Sequence, residues 1–460
     1  MLAMTFARIV QAVDGQVSVQ ASLAADEVVC GLFTDTRKPM HGGVFVALRG
    51  ARFDAHDFLS AAVENGARVL LVERAQPDLA VAQVVVADTR LALGRLAAAW
   101  CAQWKALGGR LAALTGSNGK TTTKEMLASI LRQAGVTLAT RGNLNNDIGV
   151  PLMLSELDAS NAFAVIEMGA SHAGEIAYLT RLARPDVALI TNTGRAHLQG
   201  FGGKLGVIAA KGEIFGGLAE HGVAVINLDD EGAASWLSGL SAQRLTFSMN
   251  NESKADICGQ WLAEDAMLRV CRGDDCVQAR LNVLGEHNAY NALAAAAAAF
   301  ALGLEPELIR AGLESFAGVA GRLQRKAGLA GSVLWDDTYN ANPDSLQAGM
   351  RAVRELGGET WLILGDMGEL GEDAPALHSD AGTLAREMGI SRLWTVGALA
   401  QRAAQAFGAG AQAFATQDEL VQAVMPQLQQ GVQVLIKGSR SSRMEQVVQA
   451  LVQPAEEKSC

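Results

Sequence analysis

The sequence predicts a multidomain α/β protein built on parallel sheets. A chain of 460 residues exceeds what one ordinary core serves and calls for about two to four domains. Short continuous apolar runs alternate with helical patterns, as expected of strands covered on both faces. One such run, Leu111-Ala112-Ala113-Leu114, leads into the turn Thr115-Gly116-Ser117-Asn118-Gly119-Lys120-Thr121-Thr122, with a helical pattern after it.

Taken in order, the first ~85 residues read as a mixed unit. Its strands are Val44–Leu48, Val69–Val72 and Val84–Val86, with a helix over Leu59–Asn65. The alternation that follows places strands at Leu111–Leu114, Ala164–Glu167, Val187–Thr191 and Val223–Asn227. Met126, Leu127, Ile130 and Leu131 fall at helical spacing, so Lys124–Leu131 reads as a helix. Asp256–Val283 reads as a β-insertion and Ala289–Leu302 as an Ala-rich helix. Gly318–Gly321 reads as a linker. Beyond it a third α/β unit has strands at Val333–Trp335, Leu362–Leu364, Trp394–Val396 and Val432–Ile436.

Composition narrows the function. Half the residues are apolar, 19% are charged and the net charge is −10, with no run of Lys or Arg. That disfavours nucleic acid or an anionic membrane as the main partner, while leaving room for a local basic pocket. The longest apolar run, Leu293–Leu302, is too short to span a bilayer, and the first residues lack the pattern of a secretory leader. A cytoplasmic protein is expected. The six cysteines are scattered, and reduced thiols are the expectation for all of them, including the close pair Cys271 and Cys276.

The turn after Leu114 has the marks of a phosphate-binding loop. Glycines let the backbone approach an anion, and a helix N-terminus offers free N–H groups and a positive dipole end. Gly116, Ser117, Asn118 and Gly119 would cradle phosphates, with Thr122 beside them. Lys120 would reach the β- and γ-phosphates, and the Thr121 hydroxyl would hold Mg²⁺. Leu114 stands where the general loop has Gly, which leaves the compressed pattern T-G-[ST]-x-G-K-[ST].

Three further residues sit where such a loop would use them. Glu167 ends an apolar strand, at the edge where open α/β sheets form their ligand crevice. A carboxylate there suits Mg²⁺. His197 follows the strand Val187–Thr191 and is a second candidate metal ligand. On the helix Lys204–Leu218, Leu205, Ile208, Phe215 and Leu218 define an apolar stripe, and Lys211 falls on it. A buried lysine has a depressed pKa and can be a neutral amine able to form a carbamate with CO₂. The bland alternatives are a surface Glu, a structural His and a Lys that reaches solvent. In the third unit Asp337 could take ribose hydroxyls, and Lys437 and Arg440 precede a helix in a way that suits an anionic group.

Together these segments resemble the Mur ligases over nearly the whole chain. The phosphate loop has the form found in that family and in folylpolyglutamate synthases. Thr34-Asp35-Thr36-Arg37, Phe45–Gly50 and Phe53–Phe58 resemble the family's UDP-sugar domain. Gly142–Pro151, with Asn145 and Asn146, resembles its substrate loop. Glu167, His197 and Lys211 match its Mg²⁺ positions, the lysine usually carbamylated. His287–Asn291, with Asn288, matches a segment beside the adenine. Arg322 and Asp337 match its nucleotide arginine and ribose ligand.

The resemblance implies a central P-loop ATPase-like parallel sheet over 87–318. An N-terminal UDP-sugar-binding α/β domain over 1–86 and a C-terminal Rossmann-like α/β domain over 319–460 would flank it. Asp35, Thr36, Arg37, Asn145, Asn146, Asp366, Lys437 and Arg440 become substrate-binding candidates. Asn340-Ala341-Asn342-Pro343 and Leu364–Gly371 resemble the family member that joins D-alanyl-D-alanine to a UDP-MurNAc-tripeptide. The Asp-Asn-Pro-Arg motif of the ligase adding the third peptide residue is absent, and Tyr339 stands where the D-glutamate ligase has lysine.

The implied reaction uses ATP and Mg²⁺ to phosphorylate the tripeptide carboxylate, which the dipeptide amine then attacks. No nucleic acid, no membrane insertion and a monomer are expected. The competing readings are a folylpolyglutamate synthase, which should lack the segments near Asp35 and Asn145, and a nucleotide-switched scaffold. A switch has no need of Glu167, His197 and Lys211 together.

Overall fold

The computed structural model describes residues 3–18, 23–38, 40–50, 53–194, 201–250 and 252–453. Three α/β sheets follow one another along the chain, with a two-stranded pairing of Ala3–Thr5 and Val28–Cys30 at its start. The first sheet runs Gln16–Val17, Ala82–Val85, Val69–Val72, Val44–Val46, Leu32–Phe33, parallel except for its first strand. Its strands Val44–Val46 and Val69–Val72 are fully buried, which explains their unbroken apolar sequence.

The helix Thr89–Ala106 leads out of this unit. Asp88 caps it by accepting from the amides of Arg90 and Leu91. Its Trp100 and Trp104 are buried in a core that takes side chains from both the first and the central sheet.

The central sheet runs Asp275–Arg280, Met267–Arg272, Ile257–Leu262, Gln243–Ser248, Val223–Asn227, Val187–Ile190, Arg110–Thr115, Phe163–Glu167, Thr137–Ala139. The segment expected as a β-insertion instead extends this sheet by a parallel strand and an antiparallel hairpin. The hairpin's register sets Cys271 opposite Cys276, and a disulfide joins them with Cα atoms 4.1 Å apart. The expectation of reduced thiols is therefore corrected for this pair. A two-residue turn at Gly273-Asp274 brings the two positions face to face.

Strand Arg110–Thr115 lies between Phe163–Glu167 and Val187–Ile190. The connections therefore diverge at its carboxyl end, the place where open α/β sheets bind ligands. The helix there is Lys120–Arg132, one turn longer at its start than the apolar spacing alone suggests. It packs against the Ala-rich helix Glu286–Ala301, whose alanines at 292 and 294–299 are all buried. Small side chains let the helix backbones and the sheet approach closely.

The third sheet runs Gln324–Ala327, Val333–Asp337, Gln433–Lys437, Thr360–Gly365, Arg392–Val396, Ala411–Phe414, parallel after its first strand. Among the described residues no helix is long and apolar enough to cross a membrane.

Candidate active site

The phosphate loop follows the central strand directly, and its two key glycines are required by space. Gly116 has φ +153°, and a Cβ there would stand 1.9 Å from Thr191 Oγ1. Gly119 has φ +77°, and a Cβ would stand 2.1 Å from Asn291 Oδ1. The loop is braced by the neighbouring strand end. Asn118 N–H donates to Asn192 Oδ1 at 3.0 Å, while Asn118 O accepts from Thr191 Oγ1 at 2.6 Å and Asn192 Nδ2 at 3.0 Å. Lys120 Nζ curls onto Gly116 O (2.7 Å) and Ser117 O (3.1 Å). Burial lowers its pKa, opposed by the Glu167 charge.

Glu167 is 2% exposed and its carboxylate is aimed at the loop. Thr121 Oγ1 donates to Oε2 at 3.1 Å and Asn145 Nδ2 to Oε1 at 2.9 Å. Its own amide donates to Thr140 Oγ1 at 2.9 Å. Thr140 is in turn held by Lys124, whose buried ammonium donates to Thr140 O at 2.5 Å and pairs with Glu125 at 2.9 Å. The phosphate-loop helix thus anchors the base of the 141–147 loop, which carries Asn145.

Lys211 is 2% exposed on the helix Lys204–Gly212. The helix is shorter than its apolar spacing implies, because the chain tightens into a 3₁₀ turn over Glu213–Gly217. Leu205, placed on the buried stripe by sequence, is 82% exposed, whereas Val207, Ile208 and Ala210 are buried around the lysine. The ammonium lies 5.4 Å from the centre of the Phe201 ring. Burial, helped by the nearby Lys120 charge, pulls its pKa down to about 7, so a substantial fraction is neutral amine near neutral pH. His197 lies outside the described residues. Among the described residues no three His, Cys, Asp or Glu side chains are placed to hold a metal ion.

Two chambers open on either side of the loop. The first, about 540 Å³, is lined by Asn118, Thr122, Asn288, Tyr290, Arg322 and Asp337, among others. Asn288 is fixed between Leu284 O, to which it donates at 2.8 Å, and Asn291 Nδ2, from which it accepts at 3.1 Å. Burial pulls the His287 imidazole down to about 4, keeping it neutral here. Burial and the adjacent Asp229 carboxylate raise the Tyr290 phenol above its ordinary range. Asp337 accepts from Leu323 N–H at 3.2 Å and from Lys437 Nζ at 2.5 Å. The Arg322 guanidinium stacks 4.1 Å from the centre of the Tyr339 ring. Residue 339, where the sequence departs from the lysine of a related motif, is thus a shelf for Arg322.

The second chamber, about 1030 Å³, is lined by Lys120, Asn145, Asn146, Glu167, Lys211 and Arg440, among others. It extends to Arg90, which pairs with Asp147 across its rim. Thr121 of the loop and Arg322 line both chambers, so the two meet at the phosphate loop.

Some expected substrate residues sit elsewhere. Asp366 caps the helix Ala400–Phe407, accepting from Leu399 N–H at 3.1 Å and Ala400 N–H at 2.7 Å, and it lines neither chamber. Those amides are otherwise unpaired at a helix start, and a short carboxylate satisfies both. Lys437 and Arg440 part company. Buried Lys437 serves Asp337 in the first chamber, while exposed Arg440 lines the second and pairs with Glu445 at 3.5 Å. Asp35 and Arg37 pair with one another at 2.8 Å on the first sheet's loop, Thr36 O accepts from Asn65 Nδ2, and none of the three lines a chamber.

Sequence reasoning missed Lys124, Thr140 and Asn192, and it picked out Asn342 and Glu369 only as parts of family motifs, with no role of their own. Lys124 had a usable signal, because it lies three residues before the buried Leu127, the same argument that singled out Lys211. Glu369 borders the second chamber with φ +61°, in the left-handed region that few non-glycine residues adopt.

Residues 114–299 match the Mur ligase middle domain, and residues 321–440 match the Mur ligase, glutamate ligase domain. The chain is 41% identical over 458 residues to the UDP-N-acetylmuramoyl-tripeptide–D-alanyl-D-alanine ligase of Escherichia coli, covering 98% of this chain and 99% of that one. Its fold is similar to that of MurF from Acinetobacter baumannii, with a TM-score of 0.89, 38% identity and 98% of each chain covered. It is also similar to MurF from Thermotoga maritima in complex with ADP, with a TM-score of 0.81, 27% identity, and 92% of this chain and 97% of that one covered.

Proposed function

The chain belongs to the Mur ligase family, and we infer that it joins D-alanyl-D-alanine to UDP-N-acetylmuramoyl-tripeptide at the expense of ATP. It is an ATP-dependent ligase whose product is the UDP-MurNAc-pentapeptide precursor of peptidoglycan. The observation that carries the site assignment is the meeting of two chambers at one phosphate loop, with Glu167 and Lys211 on one side and Asp337 on the other.

ATP is assigned to the first chamber. Gly116–Thr122 and Lys120 take its phosphates, Asn288 flanks the base, Asp337 takes the ribose and Arg322 spans toward the reacting phosphate. The tripeptide carboxylate is assigned to the second chamber, beside Asn145 and Asn146. Glu167 and Thr121 present hard oxygen donors beside the loop amides, the set that Mg²⁺ takes, and His197 would complete it. Held there, Mg²⁺ would supply neutralisation of the phosphate and carboxylate charges. Lys211, as its carbamate, is proposed to orient that charge.

A carboxylate oxygen attacks the γ-phosphorus as the bond to ADP breaks. Lys120 and the loop N–H groups hold the oxygens on which charge develops. The dipeptide amine then attacks the acyl carbon, loses a proton, and phosphate leaves with the former carboxylate oxygen. Arg440 at the chamber rim suits the dipeptide carboxylate.

The units 1–86, 87–318 and 319–460 are proposed to carry the UDP-MurNAc-peptide, ATP and dipeptide roles respectively. A cytoplasmic monomer accords with two soluble substrates and a site built from one chain. The test is product mass: ATP, Mg²⁺, UDP-MurNAc-tripeptide and D-alanyl-D-alanine should yield a species heavier by one dipeptide less water. Omitting the dipeptide should abolish it. Equal turnover with D-glutamate or a diamino acid in its place would reject the substrate assignment.

A further inference from the structure

The segment Asn340-Ala341-Asn342-Pro343 has no part in the reaction as described above, yet one of its side chains touches the phosphate loop. Asn342 is the N-cap of the helix Pro343–Arg354. Its Oδ1 accepts from Ser345 N–H at 2.9 Å, and its own N–H donates to Ser345 Oγ at 3.1 Å, which satisfies the helix start. That leaves the Nδ2 donor, which reaches out of the third unit to Asn118 Oδ1 at 2.9 Å.

Asn118 is unusually well fixed to receive it. Its main chain is tied to Thr191 and Asn192. Its side-chain amide lies against Gly194, where an added Cβ would stand 2.7 Å from Nδ2. Beside the two asparagines, and lined in part by both, lies a polar cavity of about 90 Å³, walled also by Gly119, Lys120 and Thr121 from the central unit and by Arg322, Ser345 and Glu369 from the linker and third unit. The size of that cavity is set by how closely the two units approach, and the Asn118–Asn342 bond spans its edge.

We propose that Asn342 is a positioning residue for phosphoryl transfer: it latches the third unit onto the phosphate loop and so sets the distance between Lys120 and Arg322 across the reacting phosphate. This rests on the ligase reading for its turnover assay. Asn342 itself touches no substrate. It acts through Asn118 and through the placement of its helix.

The test separates the latch from the cap. Asn342→Ser keeps a capping oxygen but is too short to reach Asn118, whereas Asn342→Ala loses both. The expected result is a fall in kcat of about tenfold for Asn342→Ser, with KM for ATP within about twofold and the thermal midpoint unchanged. Asn342→Ala should lower the midpoint as well. In an Asn118→Ala background, Asn342→Ser should cost nothing further, since the bond is already gone. X-ray scattering of the full chain with a non-hydrolysable ATP analogue gives a readout free of turnover: the wild type should be more compact than Asn342→Ser. Unchanged kcat in Asn342→Ser, an undiminished effect in the Asn118→Ala background, or equal compaction of the two proteins would each overturn the latch. Absent turnover in the wild type would instead count against the ligase reading, and the scattering comparison would still decide the latch.

Discussion

Replacing Gly119 by alanine tests the phosphate loop with one methyl group. The residue sits at φ +77°, which costs an L-residue about 1–2 kcal/mol. The new Cβ would lie 2.1 Å from Asn291 Oδ1, far inside contact distance, so Asn291 must swing away. Asn291 accepts from Thr123 Oγ1 at 3.2 Å and donates to Asn288 Oδ1 at 3.1 Å, and each bond lost costs roughly 1 kcal/mol. The lower entropy of the unfolded alanine chain returns less than about 1 kcal/mol. A net loss of about 3 kcal/mol is expected, centred on the loop that should hold phosphate. The assay is thermal unfolding with and without ADP. The variant should melt several degrees lower and lose most of the stabilisation that ADP gives the wild type. Gly239→Ala is the control, because its Cβ would meet nothing within 4 Å. A Gly119→Ala protein with wild-type midpoint and wild-type response to ADP would refute the reasoning.

Other expectations follow from the same geometry. Lys211→Ala should lose nearly all activity and regain part of it with short carboxylic acids, and Lys211→Glu should retain more than Lys211→Ala; failure of both would remove the carbamate. His287 is held neutral with its pKa near 4, against about 6.5 in the unfolded chain, so the unfolded state binds the extra proton between those values. Stability from this residue is therefore full above pH 6.5 and lost as pH falls toward 4. His287→Gln should flatten that part of the midpoint-versus-pH curve relative to wild type, and parallel curves would contradict it. Asp366→Ala should lower the midpoint by removing the cap of helix Ala400–Phe407, at a cost of about 1–2 kcal/mol, while KM for D-alanyl-D-alanine stays near wild type. A large rise in that KM with an unchanged midpoint would return Asp366 to the substrate site.

The sheets were legible because their strands are buried on both faces, as the unbroken runs at Val69–Val72 and Leu111–Leu114 record. The phosphate loop was legible because its glycines, Lys120 and Thr121 are adjacent in sequence. Burial of Lys211 was legible from spacing, although one of the residues used to argue it, Leu205, faces solvent. The helix ends at Gly212, so Phe215 and Leu218, also used to argue it, lie across an element boundary.

What local sequence does not carry is the direction of a side chain at a strand end. Asp337 and Asp366 both follow apolar strands, yet one faces the cleft and the other the start of a helix. Contacts across the fold were equally hidden, since Asn118 and Asn342 are 224 residues apart. The cysteine pair shows a third limit: Cys271 and Cys276 look unremarkable by spacing until a two-residue turn sets them in register.

The central claim is that the two chambers meet so that ATP activates a carboxylate by transferring its phosphoryl group. The most direct measurement uses UDP-MurNAc-tripeptide labelled with ¹⁸O in its terminal carboxylate, with ATP, Mg²⁺ and D-alanyl-D-alanine, and reads the mass of the released phosphate. Phosphate carrying one ¹⁸O for each amide bond formed is the predicted result. Unlabelled phosphate released alongside ligated product would mean that the carboxylate never attacked phosphorus, and the account of the cleft would fail.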